Sequence, residues 1–142
     1  MAGNSFLVVD ADDFLRDALA TLLRVVGLQV TAARTAEEAV TLARRDPPTA
    51  VILDDWLPDV RDQKVARGVL AQLKSHPDTR DVPIIVMTEN ASKTRRDRHW
   101  RPYNPDDVLI MPCQASDVRE MLDKYGFEGR AVVPRMLPEK TA

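Results

Sequence analysis

A chain of 142 residues with 44% hydrophobic and 30% charged residues has an ordinary globular composition, and its length suits one domain. Twenty Lys and Arg against 22 Asp and Glu leave a net charge of -2, which excludes the global cationic field of a general nucleic-acid binder. The lone cysteine, Cys113, excludes an internal disulfide framework, and no apolar run approaches the roughly 18 residues of a membrane span, so a soluble cytoplasmic protein is expected.

The apolar run Phe-Leu-Val-Val at 6–9 ends at Asp10; being continuous rather than alternating, it suits a strand covered on both faces. After Asp10, Asp12 and Asp13, apolar residues recur at Leu15, Leu19, Leu22, Leu23 and Val26 with helical spacing, and Gly27 stops the helix. A weaker strand at 28–33 precedes Thr35-Ala36-Glu37-Glu38, a capping-box pattern that opens a helix over 36–45. Pro47 and Pro48 break the chain, and a third strand at 50–53 again ends in acid, at Asp54 and Asp55. Val65, Val69, Leu70 and Leu73 give a further helix, and 83–87 is the clearest strand. A short fifth strand at 108–111 is halted by Pro112; Ser116 is the expected cap of a last helix that Gly126 stops.

This alternation predicts an α/β fold with a doubly wound five-stranded parallel sheet flanked by helices. Residues 1–125 form the domain and 126–142 an irregular C-terminal extension. Ligands of such sheets gather beyond the C-terminal strand ends, so the acids after strands 1 and 3, Thr88 after strand 4 and Met111 after strand 5 are expected in one pocket.

These segments resemble the receiver domain of response regulators, the phosphoacceptor half of two-component signalling, over about Phe6 to Tyr125, which implies the flavodoxin-like receiver fold. Phe-Leu-Val-Val-Asp at 6–10 resembles the family's first strand and acidic turn. Leu53-Asp54-Asp55-Trp56-Leu57-Pro58 resembles its phosphorylation motif, which puts Asp54 rather than Asp55 in the acceptor place. Pro83-Ile84-Ile85-Val86-Met87-Thr88 resembles the fourth strand with Thr88 as switch hydroxyl, and 106–112 resembles the segment that normally carries a lysine before proline. In this family an aspartate attacks a phosphoryl group, Mg²⁺ held by carboxylates neutralises charge and the lysine stabilises the transferred group.

Several positions depart from that pattern. Ala11 stands where a second acid ligates the metal, Met111 replaces the lysine, and Val108 replaces the aromatic switch residue. Methionine can neither carry charge nor donate a hydrogen bond to a phosphate. Glu89 adds negative charge, Trp56 sets a large ring at the rim, and Asp59-Val60-Arg61-Asp62 replaces a Gly-rich loop. The acidic pocket of Asp10, Asp12 and Asp54 is expected to require no cofactor, with Mg²⁺ held at most weakly by Asp10 and Asp54. Cys113 reads as a packing residue, and His76 and His99 lack ligand spacing.

Between 93 and 101 five basic residues meet one acid. Arg95, Arg96, Arg98, Trp100 and Arg101 form a local patch suited to a protein partner, since the rest of the chain is acidic. The expectation is an atypical, stand-alone receiver domain, not an enzyme, acting as a signalling interaction module independent of conventional Mg²⁺-dependent aspartyl phosphorylation. Its partner would be a histidine kinase or a downstream regulator, with a homodimer open and no membrane contact. The alternative is a functional phosphoacceptor, phosphorylated at Asp54 by a histidine kinase or a phosphotransfer protein. Nucleic-acid binding through the arginines ranks below both.

Overall fold

Five parallel strands in the order β2-β1-β3-β4-β5 form one sheet in the computed structural model, which describes residues 5–25, 27–55, 65–89 and 103–125. The elements are β1 (Ser5–Val9), α1 (Asp13–Val25), β2 (Gln29–Ala33), α2 (Ala36–Arg45), β3 (Ala50–Asp54), α3 (Val65–Lys74), β4 (Ile84–Thr88), β5 (Asp107–Ile110) and α4 (Ala115–Lys124). The chain leaves β1 for β2 on one side and returns to β3 on the other. That reversal opens a crevice at the C-terminal ends of β1 and β3, where ligands of doubly wound sheets bind. This is the flavodoxin-like arrangement, and it matches the five-stranded parallel sheet expected from the alternation of elements.

The strands read as unbroken apolar runs because helices cover both faces of the sheet. The pleat divides them between two cores. Leu7, Val9, Val51, Leu53, Ile84 and Val86 pack with Val40 and Ala43 of α2 and with Leu70 and Leu73 of α3. On the opposite face Phe6, Val8, Ile52, Ile85 and Met87 pack with Leu23 of α1 and with Val118, Met121 and Leu122 of α4.

Local signals set the helix starts. The Glu38 N–H donates to Thr35 Oγ1 at 3.1 Å, while the Glu38 carboxylate reaches back to the Arg34 N–H at 2.8 Å. The last helix corrects an expectation: Gln114, not Ser116, is its cap. The Asp117 carboxylate accepts the Gln114 N–H at 2.7 Å, satisfying an otherwise orphaned donor and drawing Ser116 into the first turn.

Below β4 the Asp106 carboxylate ties three segments together. Its Oδ2 accepts from the Ile84 N–H at 2.7 Å and from Lys74 Nζ at 2.7 Å, and Lys74 also donates to the Val82 carbonyl at 3.2 Å. Substituting Asp106→Ala leaves the Ile84 N–H without this acceptor and strips Lys74 of its counter-ion. We expect a loss of about 1–2 kcal/mol in urea unfolding, at and below the lower end of the range for charged hydrogen bonds, because the Asp106 side chain is 39% exposed. A loss below a few tenths of a kcal/mol would show that the tie is decorative.

Candidate functional site

At the C-terminal strand ends lies a cavity of about 470 Å³. Asp10, Ala11, Asp12 and Leu15 line one wall, Asp54 and Asp55 the floor, and Met87, Thr88, Glu89 and Met111 the other wall. The acids, the switch hydroxyl and the methionine singled out in the sequence thus occur together in this cavity.

Asp10 is 2% exposed and held on three sides. Its N–H donates to the Ala33 carbonyl at 3.0 Å, its own carbonyl accepts from Arg16 Nη1 at 3.0 Å, and its Oδ1 accepts the Asp12 N–H at 2.9 Å. Asp12 is exposed, and its Oδ1 accepts the Leu15 N–H at 3.1 Å, which makes it the N-terminal cap of α1. Ala11 packs against the core on the α2 and α3 side. Arg16 also donates to Asp13 at 2.6 Å; that hydrogen bond and the nearby Arg34 charge hold the Asp13 carboxyl below its usual range. Because this group is lowered on folding, whatever it adds to stability is present above its unfolded value and is lost as pH falls through the folded one.

Strand register decides how the remaining acids sit. Asp54 pairs with Met87 across β3 and β4, and the Asp55 N–H donates to the Met87 carbonyl at 2.8 Å, so Asp55 lies beside Thr88. The Thr88 hydroxyl, on a residue only 3% exposed, donates to Asp55 Oδ2 at 3.0 Å. The Met111 N–H donates to the Thr88 carbonyl at 2.8 Å, and its side chain packs against the core on the α1 and α4 side. Val108 pairs with Val86 and borders a separate cavity with Ile85, Glu120 and Lys124. Cys113 is half-buried against the same core; burial, aided by the Asp117 charge, pushes its thiol up, as suits a packing residue.

Asp55 was expected in the pocket among the acids that end strand 3, but its bond to Thr88 was not. Counting both strands outward from a common register would have placed it opposite Thr88, but nothing in either segment states that register. Trp56, the 59–62 segment, His99, the tail at 126–142 and the expected partner surface of Arg95, Arg96, Arg98, Trp100 and Arg101 lie outside the described residues.

Among the described residues, the side chains lack one oxygen donor of a family-type magnesium centre. Ala11 offers no oxygen ligand from its side chain, Asp12 is committed to capping α1, and among the described residues no group of three or more His, Cys, Asp or Glu side chains is arranged to hold a metal ion. No helix among the described residues is long and apolar enough to cross a membrane.

Comparison with known proteins gives a concordant picture. The family model described as the response regulator receiver domain matches residues 6–123. The chain is 38% identical over 136 residues to "Response regulator MprA" of Mycolicibacterium vanbaalenii, covering 96% of this chain and 53% of that protein. It is 33% identical over 118 residues to "Probable transcriptional regulator ycf27" of Porphyridium aerugineum, covering 83% and 46% respectively. The chain thus spans about half the length of these curated relatives. Among solved structures, the chemotaxis response regulator CheY4 of Vibrio cholerae superimposes with a TM-score of 0.76 at 18% identity, covering 88% of this chain and 98% of that one. The receiver domain of sensor histidine kinase PA1611 from Pseudomonas aeruginosa, which has a magnesium ion coordinated in its active-site cleft, gives a TM-score of 0.75 at 24% identity, covering 87% and 98%.

Proposed function

Since the chain belongs to the family of response regulator receiver domains, we propose that it works in signalling as a protein-interaction module whose output does not depend on conventional magnesium-dependent phosphorylation of Asp54. The observation that carries this reading is the charge of the cavity. Of the described residues that line it, five are acidic (Asp10, Asp12, Asp54, Asp55 and Glu89) and none is basic.

A phosphoryl donor entering that cavity brings negative charge toward carboxylates. Two like unit charges 4 Å apart repel by about 4 kcal/mol at an effective dielectric constant of 20. The family's answer is a cation on each side of the transferred group. Here Ala11 and Met111 stand at the two positions that the resemblance assigns to a metal ligand and to the lysine, and neither supplies charge. Asp54 keeps the place of a nucleophile, but the electrostatic stabilisation that would make its attack fast is missing from the described lining. In this reading the domain is not an enzyme, and a histidine kinase or a downstream regulator recognises its surface. The segment at 93–101 carries five basic residues, charge that would complement an acidic protein partner.

A working phosphoacceptor is the competing reading, favoured by the position of Asp54 and Thr88 on one cavity. The two are separated by incubating the protein with Mg²⁺ and acetyl phosphate and following intact mass. The proposal expects the unmodified mass to persist; rapid stoichiometric addition of a phosphoryl group at Asp54 overturns it.

A further inference from the structure

Beyond its share in the charge of the cavity, Asp55 holds the hydroxyl on which a receiver switch would turn. We infer that Asp55 is a latch: its carboxylate fixes the Thr88 side chain in one rotamer, with the hydroxyl bonded to Asp55 Oδ2 across the β3–β4 seam. The inference deepens the reading of a phosphorylation-independent pocket by naming what immobilises it, and it rests on that reading for its consequence in signalling but not for the contact itself.

The geometry starts from the pleat. Successive strand residues point to opposite faces, so Asp54 follows Ile52 and lies on the side of Met87, whereas Asp55 follows Leu53 and lies on the side of Val86 and Thr88. Backbone bonds clamp both ends of the pair: the Asp55 N–H donates to the Met87 carbonyl at 2.8 Å and the Met111 N–H to the Thr88 carbonyl at 2.8 Å. Within that frame the one soft coordinate of Thr88 is χ1, which has three staggered wells and is already stiff because the side chain is β-branched. A hydrogen bond of 3.0 Å to a carboxylate on a residue 3% exposed selects one well. Charge-assisted bonds are about twice as strong as neutral ones, and such a bond biases a two-rotamer equilibrium by on the order of tenfold or more. Turning Thr88 toward Asp54 would forfeit the charged acceptor. The neighbouring acid therefore sets the hydroxyl's resting position, and Asp55 is a positioning residue, not a catalytic one.

The test is the χ1 distribution of Thr88 by NMR, from the three-bond couplings of its γ-methyl carbon to the backbone nitrogen and carbonyl carbon. In the unaltered protein we expect a single rotamer. Asp55→Ala removes the acceptor, and Asp55→Leu removes it while refilling its volume; both are expected to give averaged couplings, with the latched rotamer falling at least about threefold relative to the others, well inside the tenfold bias assigned to the bond. Two variants are used so that a folding failure of one leaves the other, each judged by its amide dispersion. Averaged couplings in the unaltered protein, or a single unchanged rotamer in Asp55→Leu, would overturn the latch, the second by showing that packing and not the carboxylate holds Thr88. These readouts need no phosphoryl donor, so they fail or succeed separately from the mass measurement that tests the proposed function.

Discussion

Phosphorylation of Asp54 by acetyl phosphate in the presence of Mg²⁺ is expected to accelerate by at least on the order of 10² to 10³ when Met111→Lys and Ala11→Asp are introduced together, since that is the range for restoring a single preorganised charge-stabilising group to a transition state and the pair restores two. Each substitution answers one deficit. Met111 lines the cavity at the end of β5, and its backbone is pinned by the bond to the Thr88 carbonyl, so a lysine there extends from a fixed point into an acid-lined space. An ammonium within about 4 Å of a phosphoryl oxygen contributes about 4 kcal/mol of attraction at an effective dielectric constant of 20, enough to offset one carboxylate at the same distance. Ala11→Asp adds the hard oxygen ligand that Mg²⁺ prefers, next to the buried Asp10.

The cost falls on both sites, since Ala11 packs against the core on the α2 and α3 side and Met111 against the one on the α1 and α4 side, so the double variant should unfold at lower urea than the unaltered chain while remaining folded without denaturant. Adding Asp54→Asn to the double variant is the control and should abolish the gain. A double variant that is folded but no faster would mean that the charge of the lining does not limit the reaction, and the reading of the pocket would need another basis.

The second large effect concerns stability. Phe6→Ala is expected to cost about 3–5 kcal/mol, a large share of the 5–15 kcal/mol that holds a typical domain together. Phe6 is 0% exposed and sits on β1, the strand flanked by β2 and β3, where its ring joins the core with Val8, Leu23, Leu28 and Ile52. Truncation removes transfer free energy and leaves a cavity that a strand paired on both sides cannot collapse to fill. The check is a urea titration followed by circular dichroism: the midpoint should fall with little change in slope, the mark of lost stability without a changed unfolded state. A fall worth less than 1 kcal/mol would place the structural core elsewhere. The result bears on function because β1 also carries Asp10, and loosening it loosens the cavity wall.

How far the sequence could be read differed from element to element. The helix Ala36–Arg45 was legible to its ends because its start is encoded locally, by Thr35 and Glu38 three residues apart, and its stop by the prolines that follow. The strands were legible as apolar runs, to within a residue or so at their ends: β4 extends to Thr88 and β5 begins at Asp107. The start of α4 was misread at Ser116, since a serine near an apolar pattern is a general cap signal, while the bond that decides the matter joins Gln114 to Asp117. Asp12 was readable as an acid in a turn, but its commitment to the Leu15 N–H depends on where α1 begins.

The amino-acid sequence by itself determined the succession of strands and helices, and with it the doubly wound sheet. It also determined which side-chain groups the crevice can contain, because the side chains of Ala11 and Met111 carry neither an oxygen ligand nor a positive charge in any conformation. Only the tertiary structure decided how those groups are shared out: Asp12 to the cap of α1, and Asp55, rather than its neighbour Asp54, to the hydroxyl of Thr88. The physical reason is register. Residues 33 positions apart become neighbours through the pairing of β3 with β4, and a slip of one residue would hand each side chain to the opposite face, so no local feature of either strand can state the outcome.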